Sequence, residues 1–262
     1  MRHIIRFIIC LLAVGNACAS DSIMMVPRGN GIIAPYAYKD CKTVRKIVIP
    51  EGIIEIGEYA FLGCSDATDI TLPSTLRRIG EGAFRECTSL RKLSVPVGVR
   101  DIPRYMCAWC DSLETVYLPP SVKDIGSHAF AYCGALKEIA IPKSVVHIGS
   151  NVFSRCSSLR EIEIPSSVSE LESYAFSDCT SLRRAVLPAN NKLLGELLFI
   201  GCGNLEEIVC MSILPPPFDC DSPLFDPSET DNYRKVRLKI PQSSIPKYRK
   251  AKVWNLFFNP EN

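Results

Sequence analysis

The sequence has few histidines and almost no net charge. Three of its 262 residues are histidine, and 30 basic residues are balanced by 28 acidic ones. This balance argues against binding to nucleic acid or to an anionic membrane surface, since both need an excess of lysine and arginine. The sequence also contains no G-x-S-x-G motif, no phosphate-binding glycine loop and no H-E-x-x-H motif. It therefore predicts a protein that is not an enzyme, with no catalytic residues, no metal site and no cofactor.

Two of the histidines, His128 and His147, lie in the body of the chain. Neither has the sequence signature of a nucleophile or a metal site around it. We expect both side chains to face solvent.

Long apolar runs are absent beyond the N-terminus, and the run found there is too short to cross a bilayer. Arg2 and Arg6 give the chain a positive start, an apolar stretch extends over residues 4–14, and small residues at 17–19 resemble a cleavage site. This order is typical of a secretory signal peptide, which we predict over residues 1–19. Its removal would leave 28 basic and 28 acidic residues.

Two alternatives remain open for the N-terminus. The segment could be a buried first strand of the domain. Cys18 could instead be the lipidated first residue of a bacterial lipoprotein, because Ala17 suits that cleavage site although Gly15 stands where a leucine-type residue is preferred. Contact with a membrane is predicted only through this lipid anchor.

The main feature of the sequence is a strict period of 23 residues. Proline, cysteine and an aromatic residue each recur at this spacing, and Cys107 fills the one gap in the aromatic series. The cysteines of the series are Cys41, Cys64, Cys87, Cys110, Cys133, Cys156, Cys179 and Cys202. A period of this length indicates a solenoid, in which each repeat is one coil stacked on the previous one.

The repeat has the form L-x-x-I-x-I-P-x-x-V-x-x-I-G-x-x-A-F-x-x-C-x-x. The I-x-I segment alternates apolar and polar residues and predicts a strand, which the proline ends. The glycine suits a tight bend, and the spacing of A-F-x-x-C predicts a short helical turn. Stacked coils would place the strands in a parallel sheet at about 4.8 Å spacing.

This pattern resembles the leucine-rich repeats of the BspA-like family. The resemblance is carried by I-G-S-H-A-F-A-Y-C at residues 125–133 and L-R-E-I-E-I-P at residues 159–165, and it covers about residues 23–210. It implies a curved leucine-rich-repeat solenoid with a parallel sheet on one face and short helical turns or irregular coil on the other. It also implies a role in adhesion or recognition, and it supplies no catalytic residues.

The chain is therefore divided into a signal peptide (1–19), an N-terminal partial repeat or cap (20–40), the repeat array (41–210), and a C-terminal loop and cap (211–262). The segment 236–241 repeats the strand-then-proline motif once more. After it, Ser243 and Ser244 could cap a closing helix. That helix would carry the apolar residues Ile245, Tyr248, Val253, Trp254 and Phe257.

The cysteines of the 23-residue series are predicted to be buried thiols. Side chains in one column of stacked coils point the same way, whereas a disulfide needs β-carbons about 3.8 Å apart that are turned toward each other. Cys107 and Cys110 form a C-x-x-C motif, which could be a redox pair but is better interpreted as a degenerate core repeat. Cys210 and Cys220 lie outside the series and are candidates for a disulfide.

The residues that vary on the predicted strands are candidates for binding. Two side chains of each strand flank the central apolar residue and point outward, and they would form one continuous surface if the sheet lines the concave side. Tyr117 is the central exposed aromatic residue, a type favoured at interface hot spots. The candidate binding residues are Lys92, Thr115, Tyr117, Glu138, Glu161, Glu163 and Arg184.

We therefore predict a secreted or cell-surface recognition protein of the adhesin type, with a host, matrix or neighbouring-cell protein as its partner. Two alternatives are a carbohydrate-binding or nutrient-capture module and a structural spacer. A carbohydrate module would need a row of exposed aromatic residues, and on the strands only Tyr117 qualifies.

Overall fold

The computed structural model describes residues 23–189, 193–218, 223–226 and 231–258. Residues 1–22, with the predicted signal peptide and Cys18, lie outside these ranges. Within them the chain forms a series of short strands and turns that repeats every 23 residues. Each strand pair in the repeat array is parallel and joins residues 23 positions apart, as in Lys46↔Asp69 and Asp124↔His147. The predicted solenoid of stacked coils is confirmed.

Each coil contributes a longer strand from its I-x-I segment, and the outward side chains of these strands are called the strand face. The strands are β1 (Ile23–Met25), β3 (Lys46–Val48), β5 (Asp69–Thr71), β7 (Lys92–Ser94), β9 (Thr115–Tyr117), β12 (Glu161–Glu163), β14 (Arg184–Leu187), β16 (Glu207–Cys210) and β17 (Arg237–Lys239). They form a five-stranded sheet ordered β1-β3-β5-β7-β9 and a four-stranded sheet ordered β12-β14-β16-β17. The central residue of each array strand is buried, as the alternation predicts.

The strand face is interrupted at Glu138–Ala140, where we expected one more strand. These residues form no strand and do not bridge β9 to β12. Glu138 stands one repeat before Glu161, so two like charges would lie side by side at the strand spacing, which is unfavourable. Ala140 adds little, since alanine has a low preference for strands. The expected continuous surface is therefore divided into two sheets.

A second row of two-residue strands follows the bend in most coils, and it is called the edge row. Its members are β2 (Ile32–Ile33), β4 (Glu55–Ile56), β6 (Arg78–Ile79), β8 (Asp101–Ile102), β10 (Asp124–Ile125), β11 (His147–Ile148), β13 (Glu170–Leu171) and β15 (Leu193–Leu194). They form a sheet ordered β2-β4-β6 and another ordered β15-β13-β11-β10-β8.

The A-F-x-x-C segments form successive turns rather than regular helix, and this part of each coil is called the turn side. Hydrogen bonds between residues three apart close the turns, as from Cys133 N–H to the Phe130 carbonyl (3.3 Å). Two residues in each coil have left-handed backbone angles, with φ between 49° and 72°, and this conformation stops a helix from propagating. In the coil with Phe130 these residues are His128 and Tyr132.

The core lies between the strands and the turn side and consists of columns of identical residues. The aromatic column stacks ring on ring, with centroids 5.7 Å apart for Phe130–Phe153 and 5.8 Å for Phe153–Phe176. All three of these rings are fully buried. Because each ring lies against the next coil, a single coil could not bury its apolar face alone.

The C-terminal segment closes the last coils with three short helices instead of the single helix expected. They are a 3₁₀ helix η1 (Gln242–Ser244), α2 (Ile245–Tyr248) and a 3₁₀ helix η2 (Trp254–Phe257), and they follow α1 (Asp231–Lys235) and β17. Ser244 does not cap α2 through its side chain. Tyr248 and Trp254 are buried, and Trp254 Nε1–H donates to the Pro216 carbonyl at 2.9 Å.

None of the helices in the described ranges has the length and apolar character required to traverse a lipid bilayer.

Candidate recognition surface

The seven candidate binding residues lie around Tyr117 on the strand face. Tyr117 is 59% exposed and stands between two shallow depressions of about 410 and 420 Å³. The first depression lies where the strand at 138–140 is missing. It is lined by Thr115, Tyr117, Glu138, Glu161, Glu163 and Arg184, together with Val116, Ile139, Ala140 and Ile162. The second is lined by Lys92 with Asp69, Ser94 and other residues of β5 and β7.

The strands bring these side chains together because residues one period apart become neighbours. Lys92 pairs with Thr115 between β7 and β9, and Glu161 pairs with Arg184 between β12 and β14. Glu138 belongs to neither ladder and is exposed in the gap between the two sheets. The first depression therefore lies at the interruption between the two sheets.

The first depression is acidic. Arg184 is its one basic lining residue, and its guanidinium is shared between Glu161 (3.9 Å) and Glu207 (3.2 Å). Within the described part of the chain, Glu138 and Glu163 take part in no ion pair. These two carboxylates are exposed and available to a ligand of positive charge.

The cysteine column has a second role that the sequence did not reveal. Each thiol from Cys64 to Cys202 donates a hydrogen bond to a backbone carbonyl of the preceding coil, for example Cys156 Sγ to the Phe130 oxygen at 3.2 Å. The same bond recurs at Cys64, Cys87, Cys110, Cys133, Cys179 and Cys202, at 3.1–3.3 Å. Cysteine thus fills a small apolar slot and also satisfies a buried acceptor.

The prediction of buried free thiols is confirmed for Cys64 through Cys202 and is wrong for Cys41, which is disulfide-bonded. Cys41 stands at the first position of the column within the described residues. Burial raises the pKa of the Cys156 thiol to about 12 and raises those of Cys133 and Cys179 as well. These three thiols are therefore protonated and poor nucleophiles at neutral pH.

The C-x-x-C motif lies in the core of the described chain, as its interpretation as a degenerate core repeat predicts. Cys107 and Cys110 are both fully buried and free, and burial followed by hydrogen bonding to Cys110 raises the pKa of Cys107. Cys210 is a free buried thiol 3.3 Å from the Tyr248 hydroxyl. The predicted disulfide between Cys210 and Cys220 is therefore wrong for Cys210, and Cys220 lies outside the described residues.

An aromatic cluster on the turn side was missed because it occupies variable positions of the repeat. Trp109 stacks on Tyr132 at 4.8 Å, and Tyr105 stacks on His128 at 4.7 Å. Arg85 covers the other face of Trp109 at 4.5 Å, and Arg155 lies over Tyr132 at 5.2 Å. Both faces of Trp109 and Tyr132 are therefore covered, so neither ring offers a free face for a sugar to stack on.

A polar cluster on the edge row was also missed. His147 is half-buried, and its Nδ1 lies 2.7 Å from Asp124 Oδ2 while its Nε2 lies 3.0 Å from Glu172 Oε1. Burial lowers the pKa of His147, but the hydrogen bonds to Glu172 and Asp124 raise this pKa by more, so the net shift is upward. The expectation that both histidines face solvent is wrong, since His128 is also half-buried beneath its stacking partner.

Comparison with known proteins agrees with the repeat geometry. A crystal structure of a leucine-rich repeat protein from T. pallidum is 33% identical, with a TM-score of 0.52, over 70% of this chain and 76% of that one. A leucine-rich repeat protein from Bacteroides ovatus is 23% identical, with a TM-score of 0.62, over 87% of this chain and 62% of that one. No curated protein matches the chain significantly.

The family profile of the BspA type leucine-rich repeat region matches six copies, over residues 17–133 and 100–215. These matches span more than half of the sequence and coincide with the coils described above. The resemblance seen in the repeat motif is thus confirmed, and the chain belongs to the BspA-type leucine-rich repeat family.

Proposed function

We propose that this chain is a non-enzymatic extracellular recognition protein that binds a protein partner through its strand face. Its place would be outside the cell, either secreted or held at the surface. The partner class would be a host, matrix or neighbouring-cell protein. The observation that carries the proposal is the grouping of the variable residues around Tyr117, in two adjoining depressions on an otherwise regular sheet.

The chemistry of this surface suits a protein partner with exposed basic side chains. Tyr117 presents a large ring with a polar hydroxyl, the residue type most often found at interface hot spots. Glu138 and Glu163 are exposed acids beside it, and they would favour the approach of lysine or arginine. A structural spacer would need no such grouping, and a carbohydrate module would need free aromatic faces that the turn-side cluster does not offer.

The test is a binding screen of the full chain against purified matrix proteins, alongside a glycan array, followed by titration of three variants. Tyr117→Ala is expected to weaken binding to the protein hit by about tenfold or more, since hot-spot truncations have effects of this size. Glu161→Lys is expected to weaken it and to reduce its dependence on salt.

The matched control is Glu58→Lys, which reverses an exposed charge next to the turn side, away from the strand face. It should leave the affinity unchanged. Equal affinity for wild type, Tyr117→Ala and Glu161→Lys would show that the strand face is not the site. Binding to glycans alone would favour the carbohydrate alternative, and binding to neither panel would favour the spacer.

A further inference from the structure

We propose that His147, Glu170 and Glu172 form a site for one divalent transition-metal ion, with Zn²⁺ the best match. One donor atom of each side chain lies within 4.8 Å of the donor atoms of the other two. Zn²⁺ binds imidazole nitrogen and carboxylate oxygen, and it commonly takes three protein ligands with water in the fourth position. The set of donors on the edge row therefore has the right chemistry and the right number of ligands.

The edge row brings these residues together from two successive coils. β10, β11 and β13 are neighbours in one sheet, and the register aligns Asp124 with His147 and His147 with Glu170. Side chains aligned in this way in a parallel sheet point to the same side. Glu172 follows two residues after Glu170 and therefore returns to that side. The three ligands are not contiguous in the sequence, and they come together only when the coils stack.

His147 is placed like a metal-bound histidine whose second ring nitrogen contacts a carboxylate. A hydrogen bond from Nδ1–H to Asp124 at 2.7 Å leaves the lone pair on Nε2, which faces the Glu172 carboxylate at 3.0 Å. Two acceptors that face each other at this distance need a positive charge between them, either a proton or a metal ion. A carboxylate that receives the second N–H is the usual support of a metal-bound histidine.

Glu172 occupies a column of the repeat in which glycine is the commonest residue. Glycine stands at residues 57, 80, 126, 149 and 195, and Ala34 and Pro103 are the other exceptions. A β-carbon on Gly149 would come within 2.6 Å of Ser127 N, and one on Gly195 within 2.2 Å of Ser173 N. Of the three residues in this column that carry a side chain, Glu172 is the one that can ligate a metal ion.

The Glu172 carboxylate is held in place by a backbone hydrogen bond. Oε2 accepts the Ser150 backbone N–H at 2.7 Å, which fixes the carboxylate and turns Oε1 toward His147. His147 and Glu172 are only partly buried and Glu170 is exposed, so an ion can reach the three donors from solvent. A bound ion would connect the coils of β11 and β13 and would stabilise their stacking.

The experiment titrates ZnCl₂ into the full chain after chelator treatment and dialysis, followed by calorimetry and thermal unfolding. One Zn²⁺ per chain and a rise in Tm are expected. His147→Asn and Glu172→Gln should each weaken Zn²⁺ binding by at least tenfold, and Asp124→Asn by about 10–100-fold, the range for a supporting carboxylate. Glu170→Gln changes only an exposed side chain and tests the site without risk to folding.

The matched control is Glu55→Gln, which neutralises an acid at the equivalent position of β4 in the same edge row. It should bind Zn²⁺ as wild type does. Absence of saturable Zn²⁺ binding by the wild-type chain would overturn the proposal. Equal affinities for wild type, Glu170→Gln and Glu172→Gln would also overturn it, since the ion would then lie elsewhere.

Discussion

The core and the strand face of each coil follow opposite rules. In the core the same residue type recurs at nearly every step, and contacts pass from one coil to the next through stacked rings and thiol–carbonyl bonds. On the strand face the outward residues change from coil to coil, and at Glu138–Ala140 the ladder itself is interrupted. The comparison shows that the columns hold the array together, so the strand face is free to vary in charge and in shape.

The sharpest test of this difference removes one ring from the core column. Phe153→Ala leaves a cavity between Phe130 and Phe176 and is expected to lower the free energy of unfolding by about 3–5 kcal/mol. Tyr117→Ala removes a comparable ring from the strand face and should change the free energy of unfolding by about 0.5 kcal/mol or less. Chemical denaturation measures both free energies. Similar losses for the two variants would contradict the distinction between the core columns and the strand face.

The cysteine column should make the stability fall at alkaline pH. A folded-state pKa of about 12 for Cys156, against an ordinary value of 9.0, means that the unfolded chain loses this proton first. The stabilisation is therefore complete below pH 9 and is lost as the pH rises from 9 toward 12, by about 1.4 kcal/mol per pH unit for the Cys156 thiol.

The variant Cys156→Ala isolates this contribution. At neutral pH it should cost about 0.5–1.5 kcal/mol, because the Phe130 carbonyl loses one of its two donors and keeps the Cys133 N–H. The difference in the free energy of unfolding between this variant and wild type should shrink between pH 9.5 and 11. Val152→Ala is the control, since it changes a buried residue that does not titrate and should be offset from wild type by a constant amount. A constant offset for Cys156→Ala as well would show that the thiol does not titrate as described.

The smallest effect concerns the interruption on the strand face. Glu138→Thr removes the like charge beside Glu161 and introduces a β-branched residue, so it should stabilise the chain by about 0.2–1 kcal/mol. It should also slow amide hydrogen exchange at residues 139–141 by closing the ladder between β9 and β12. Exchange unchanged in this variant would mean that charge repulsion does not open the sheet.

The period of 23 made most of the architecture predictable, because equal spacing in the sequence becomes adjacency in space. It gave the strands, the register of their pairs and the grouping of residues such as Thr115 and Lys92. It could not give the break at Glu138–Ala140, where the 23-residue spacing continues unchanged. The His147 cluster was missed because its members are scattered in the sequence. Its one visible signal was Glu172, an acidic residue in a column that is mostly glycine.

The thiol–carbonyl bonds all run in one direction, from each coil to the one before it. Every interior coil consequently offers its neighbours the same donor on one side and the same acceptor on the other. An in-frame duplication of 23 residues would meet matching partners above and below without any compensating change. The length of such a chain can thus be altered by simple genetic events, while its outward residues diverge separately in each copy.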